Sequence, residues 1–147
     1  MKIDDVKCYL EKSKRIWDLS CMAIDTIHKY LLTSEFKNHL TIQSQKKYYL
    51  KIDCYGYNLI FEAEMNWEEK CPRSIIKASH QFSNNKNLLE EETLLKYYID
   101  NNGFVYDKPD SKDNIGHVGG EVGSDFQETF IADVFSKIIM TDKIKAV

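Results

Sequence analysis

Residues 48–65 read Tyr-Tyr-Leu-Lys-Ile-Asp-Cys-Tyr-Gly-Tyr-Asn-Leu-Ile-Phe-Glu-Ala-Glu-Met. Tyr48, Leu50, Ile52 and Cys54 alternate with Tyr49, Lys51 and Asp53. Beyond Tyr55-Gly56, Leu59, Phe61, Ala63 and Met65 alternate with Ile60, Glu62 and Glu64. A period of two sends successive side chains to opposite faces of a strand. Two such runs around a short glycine turn predict a β-hairpin with one apolar face. Residues 40–43 either extend the first strand or form their own. Ser74 to Phe82 adds a strand with Ile76, Ala78, His80 and Phe82 on one face and Lys77, Ser79 and Gln81 on the other. Residues 66–72, with Trp67, Glu68, Glu69 and Lys70, read as a loop or helical turn.

The sheet needs cover on its apolar face. On the N-terminal side, Val6, Leu10, Trp17, Cys21, Ile24 and Leu31 recur at spacings of three, four or seven, which predicts a helix from Ile3 to Leu32. Asp4 and Asp5 fall in its first turn, where the helix dipole favours acids. On the C-terminal side, Asn87 with Glu90 three residues later resembles a capping box, predicting a middle helix from Leu88 to about Asp100 that stops at Gly103. Phe104 to Tyr106 reads as a short strand, and 107–123 as one long loop with four glycines. Ser124 and Gln127 then open a final helix, whose apolar stripe is Phe126, Phe130, Ile131, Val134, Phe135, Ile138 and Ile139. The tail from Thr141 is expected to fray. The expected fold is a single α+β domain over 1–147. In it, an antiparallel sheet of three to four strands is packed by a long N-terminal helix, a middle helix and a C-terminal helix.

The composition is that of an ordinary globular chain: 147 residues, 43% hydrophobic and 29% charged. A domain this long buries roughly 68–70% of its unfolded surface and needs neither disulfides nor metals to hold a core. No run of about 18 apolar residues is present, so no membrane span is expected. Met1 to Leu10 carries Lys2, Asp4, Asp5 and Lys7, which does not suit a secretory signal. Cys8, Cys21, Cys54 and Cys71 form no Cys-x-x-Cys pair and match no zinc spacing, so they read as reduced, buried thiols of a cytoplasmic protein. The basic residues are 18 Lys to 2 Arg, and Ile, Asn and Tyr are plentiful. All have AT-rich codons, which suits an AT-rich bacterium, a phage or a mobile element.

The net charge of −3 conceals an asymmetry. It divides into +4 over 1–51, −1 over 52–87, −8 over 88–135 and +2 over 136–147. The −8 block repels nucleic acid and attracts basic surfaces. Motif by motif, chemistry is sparse. The loop Gly116-His117-Val118-Gly119-Gly120-Glu121-Val122-Gly123 lacks both the dinucleotide fingerprint and the Lys-Ser/Thr of a P-loop, and Glu121 and Asp125 would oppose a phosphate. Asp107, Asp110 and Asp113 are spaced i, i+3, i+6, which is not the spacing of an EF-hand. No metal or cofactor is expected. Of His28, His39, His80 and His117, only His117 sits in a loop that resembles a site, and whether it meets His80 is open. The tyrosines around the hairpin, Tyr48, Tyr49, Tyr55 and Tyr57, suit either the core or a protein interface.

Size, the acidic block and the missing catalytic motifs favour a small binding protein that neutralises a basic protein partner, such as a toxin-immunity protein or phage-type inhibitor facing a nuclease toxin. The expected partner-binding residues are Glu90, Glu91, Glu92, Asp107, Asp110, Asp113 and Glu121. Neither nucleic acid nor membrane is an expected partner, and no catalytic residue is assigned. Two alternatives remain: a small hydrolase or nuclease using His117 as acid/base, and an oligomeric adaptor subunit.

Overall fold

The hairpin stands where the alternation puts it. The computed structural model describes residues 1–67, 72–119 and 126–140. Within them, β2 (Tyr49–Cys54) and β3 (Tyr57–Asn66) pair antiparallel with Cys54 opposite Tyr57. The two turn residues, Tyr55 and Gly56, both have positive φ (53° and 86°), the backbone of a type I′ turn that matches the strands' twist. Residues 41–46 form a strand of their own, β1 (Thr41–Lys46), joined to β2 across Lys47-Tyr48.

The expected three-to-four-stranded sheet under three helices is overturned. The described residues contain seven strands in one antiparallel sheet, ordered β1 to β7 as in the chain, and two α-helices. After β4 (Arg73–Ser83), the segment expected to be the middle helix is a strand, β5 (Leu89–Ile99), paired along the whole of β4. β6 (Phe104–Tyr106) and β7 (Gly116–His117) complete the sheet, so the expected loop 107–123 is interrupted by a strand.

The physical reason lies in which side chains must face inward. Opposite Ala78, Ile76 and Ser74 on β4 stand Leu95, Tyr97 and Ile99. Residues two apart share one face of a strand but diverge on a helix, so only a strand can aim all three at one core. Thr93, Tyr97, Tyr98 and Ile99 are also strand-favouring residue types. The turn before β5 uses Asn87 differently from a cap. The Asn84 N–H donates to Leu88 O at 2.9 Å, the Asn87 N–H donates to Asn84 O at 3.0 Å, and Asn87 has φ 59°. This is a three-residue hairpin loop closed by a left-handed residue. Asn serves that conformation as well as an N-cap, and nothing local distinguishes the two uses.

α1 (Ile3–Thr33) and α2 (Phe126–Met140) cover one face of the sheet. The α1 start is fixed by Asp5, whose carboxylate accepts from the Lys2 N–H at 3.3 Å. A short 3₁₀ turn, Glu35–His39, links α1 to β1. The register aligns the core in rows across the strands: Leu50, Phe61, Ala78 and Leu95 in one, Ala63, Ile76 and Tyr97 in the next. Against them pack Ile24, Ile27 and Leu31 of α1 and Phe126, Phe130, Ile131, Val134 and Ile138 of α2. Phe130 meets Phe61 edge-on at 6.1 Å and Tyr97 at 4.7 Å, and the Tyr97 hydroxyl donates to Asp133 on α2. Of the stripe expected for the last helix, Phe126, Phe130, Ile131, Val134 and Ile138 are buried, Phe135 is half-buried and Ile139 is exposed. The Ser124 half of its expected cap lies outside the described residues.

The opposite face of the sheet is polar, yet Ile60 and Ser79 at its centre are fully buried. Beside them Lys77 bridges Glu64 at 2.6 Å and Glu62 at 3.2 Å. Burial works to lower the Lys77 pKa, but the hydrogen bonds to the two carboxylates outweigh it and hold the ammonium above its ordinary range.

Candidate functional site

β4 and β5 outrun their neighbours. The last β3 pairing with β4 is Asn58 with Gln81, whereas β4 and β5 continue to Ser83 with Leu89. On its other side β5 meets β6 only at Tyr98 and Ile99. Among the described residues no strand pairs with Leu89–Tyr97 on that side. The β4–β5 hairpin therefore ends as a ribbon. Its residues Lys86 to Thr93 are all exposed, including the apolar Leu88 and Leu89 at the tip. Asn84 fixes the tip: its Oδ1 accepts from the Lys86 and Leu88 N–H groups, and its Nδ2 donates to Glu90 Oε1 at 2.9 Å.

The acidic run lies on this ribbon rather than on a helix. Glu90 stands opposite Phe82, Glu91 opposite Gln81 and Glu92 opposite His80. Strand alternation sends Glu90 and Glu92 to one face and Glu91 to the other. Glu91 shares a row with Gln81, Asn58 and Asp53. Its charge reaches Tyr49, whose pKa is raised by burial first, then by Glu62 and Glu91.

Asp107, Asp110 and Asp113 are exposed but lie elsewhere, in the segment after β6. Arg73 at the start of β4 anchors that segment, its Nη1 donating to Pro109 O at 2.6 Å. From Arg73 to Gln81, opposite Glu91, β4 runs roughly 26 Å at ~3.3 Å per residue. Lys108 and Lys112 are interleaved with these aspartates. The described acids expected to bind a partner therefore fall in two separate patches, the uninterrupted run Glu90 to Glu92 on the ribbon and Asp107 to Asp113 among lysines, while Glu128 and Asp133 of the −8 block lie on α2. Glu121 lies outside the described residues, as do Gly120 and 122–125.

His117 is a structural clamp. Its Nε2 lies 2.7 Å from Asn102 O and its Nδ1 2.9 Å from the Gly119 N. Both contacts are satisfied by a neutral ring that donates from Nε2 and accepts at Nδ1. His80 sits three strands away on β4, stacked on Tyr57 at 3.9 Å, so the structure does not bring the two histidines together. His28 Nδ1 contacts Gln45 Nε2 at 2.9 Å, and His39 Nδ1 contacts Tyr55 Oη at 2.6 Å. Among the described residues no group of three His, Cys, Asp or Glu is placed to hold a metal ion, and no helix is long and apolar enough to cross a membrane. Cys21 and Cys54 are buried free thiols with pKa raised by burial, whereas Cys8 is exposed, contrary to the expectation that all are buried. Cys71 lies outside the described residues.

Sequence reasoning missed the ribbon because it read 88–100 as helical. The signal was present in Leu95-Lys96-Tyr97-Tyr98-Ile99, where apolar Leu95, Tyr97 and Ile99 fall at period two. No family model matches the chain, and neither a curated protein nor a solved structure matches it significantly.

Proposed function

We propose that the chain is a binding protein whose acidic β4–β5 ribbon engages a basic protein partner, in the manner of a toxin-immunity protein or a phage-type inhibitor. One observation carries the reading: Glu90, Glu91 and Glu92 are exposed in succession on the projecting ribbon, with the bare side chains of Leu88 and Leu89 at its tip. Carboxylates on a projection attract a basic partner over about a Debye length, ~8 Å at physiological salt, and raise its rate of encounter. The leucines would supply the apolar contact that charge alone does not. A nuclease with a cationic substrate site has the matching chemistry. Asp107, Asp110 and Asp113 serve at most a second contact, and Glu90, Glu91 and Glu92 bear the main one.

The test begins with affinity capture from the native host and identification of the bound protein by mass spectrometry. Association with that protein is then timed for the wild type and for E90K/E91K/E92K at low and physiological salt. The reading expects a basic partner, an association rate that falls by at least about tenfold on charge reversal, and a flattened salt dependence. Equal rates for the two proteins would sink it.

A further inference from the structure

α1 carries a seam longer than the sheet it covers. Ile3, Val6, Leu10, Ser13, Trp17, Ser20, Ile24, Ile27 and Leu31 follow one another at alternating spacings of three and four, the a and d positions of a heptad. From Ser13 onward the seam is buried or half-buried in the fold. From Ile3 to Lys12 the helix buries no residue: Ile3 is 67% and Leu10 52% exposed. This stripe runs into a groove of about 710 Å³ between α1 and the end of β3, lined by Leu10, Trp17, Ala63, Met65 and Trp67 together with Lys14 and Glu64. Trp67 is 55% exposed. Over these three turns only Val6 and Tyr9 are half-buried. Tyr9 reaches Trp67 with its hydroxyl, which donates to Trp67 O at 3.2 Å, and with its ring at 6.0 Å. The exposed apolar side chains lie on the face that leads into the groove.

The geometry points to a docking site for an amphipathic helix of a partner protein, one with apolar a and d residues and acidic flanks. The stripe supplies half of a heptad seam. The charge comes from Lys7 and Lys14, which occupy successive e positions beside it and are both exposed; flanking charges of this kind select the partner. Glu64, the one acid lining the groove among the described residues, is already bridged by Lys77. A second copy of this chain is the poorer occupant, because it would bring Lys7 and Lys14 against the same two lysines. This site is distinct from the acidic ribbon and stands without it.

Both tryptophans of the chain, Trp17 and Trp67, line the groove, so fluorescence excited selectively from tryptophan, apart from the nine tyrosines, reports on it. The probes are two tryptophan-free 21-residue helical peptides with Leu at a and d, one with Glu and one with Lys at e and g. The Glu peptide should shift the tryptophan emission and saturate. The Lys peptide should bind at least about tenfold more weakly, and K7E/K14E should reverse the order. Leu10→Asp, at a half-exposed position, should abolish binding while the circular dichroism spectrum and thermal midpoint stay unchanged. Equal binding of both peptides, no binding of either, or insensitivity to Leu10→Asp would each overturn the proposal. So would a dimer in sedimentation velocity that Leu10→Asp dissociates, which would assign the groove to a second copy.

Discussion

Asn84 and Asp100 perform the same task at the two ends of β5. Asn84 Oδ1 accepts from the N–H groups two and four residues on, Lys86 at 2.8 Å and Leu88 at 3.1 Å. Asp100 Oδ1 does likewise with Asn102 at 2.9 Å and Phe104 at 3.0 Å. Each loop is closed by matching backbone bonds and has a left-handed residue three places after the acceptor, Asn87 in one and Gly103 in the other. One turn is thus built twice, and it delivers β5 from β4 and returns β6 to β5.

Each side chain makes a third bond: Asn84 Nδ2 donates to Glu90, and Asp100 Oδ2 accepts from Tyr106 Oη at 3.0 Å. Asp100→Ala is expected to cost about 1–3 kcal/mol by stranding these donors. Asp100→Asn, which keeps the Oδ1 acceptor, should lose less. Urea unfolding of both variants checks the order.

Gly103 has φ 86°, and a Cβ there would lie 2.7 Å from His117 Nε2 and 3.3 Å from Leu19 Cδ2. Gly103→Ala therefore combines backbone strain with a clash against the ring that clamps the loop. The expected loss is about 1–3 kcal/mol. Asn87→Gly, in the same conformation at the other turn, should stay within about 1 kcal/mol of wild type. Urea unfolding of the two variants checks this: a Gly103→Ala loss no larger than that of Asn87→Gly would contradict the clash with His117.

Lys77 stands between Glu62 and Glu64 with its side chain only 15% exposed. Lys77→Met leaves two carboxylates facing each other and should destabilise by about 1–3 kcal/mol. Adding Glu62→Gln and Glu64→Gln to Lys77→Met should recover part of that loss, with a coupling of about 0.5–3 kcal/mol in the mutant cycle. Strict additivity would show that the cluster is screened by solvent.

Tyr57 makes no side-chain hydrogen bond among the described residues although its hydroxyl is buried. Burial, and then the charge of Glu92, push its pKa up to about 12. The folded state therefore holds this proton more tightly than the unfolded chain, whose phenols ionise near ~10. Its contribution is fully present below pH ~10 and is lost as pH rises from there toward about 12. Tyr57→Phe should flatten part of the alkaline fall in stability relative to wild type while leaving neutral stability the same or higher. Absorbance at the phenolate band, titrated in parallel, should lose one late-ionising tyrosine in the variant.

How much of this was legible in the sequence depended on whether a residue type has one structural use or two. Leu50, Ile52, Leu59 and Phe61 could only be a two-faced hairpin, and the Tyr55-Gly56 turn left one register. Phe126, Phe130 and Val134 could only be a helix stripe. Asn87 and Gly103 each have two uses: an N-cap or C-terminal stop on a helix, and a left-handed position in a hairpin loop. Glu90, Glu91 and Glu92 then tipped the local reading toward helix, whereas pairing with Ile76 and Ala78, some twenty residues back, decides for strand. That pairing is tertiary information. The candidate site suffered accordingly: the charge count found the acids, but only the register shows that the ribbon and Asp107 to Asp113 lie at opposite ends of β5.

The strict chain order of the seven strands bears on how the molecule is assembled in time. Six antiparallel neighbours in succession let each strand add to the previous one without waiting for a distant segment, and the entropy of closing a short loop is small. The long-range gathering falls to the two helices, α1 onto β3 and β4 and α2 onto β5 and α1. The sheet can therefore zip from any of its hairpins, while the slow search belongs to the terminal helices. Phe130, which touches Phe61 and Tyr97 from α2, is then a residue whose truncation should slow folding and not merely speed unfolding.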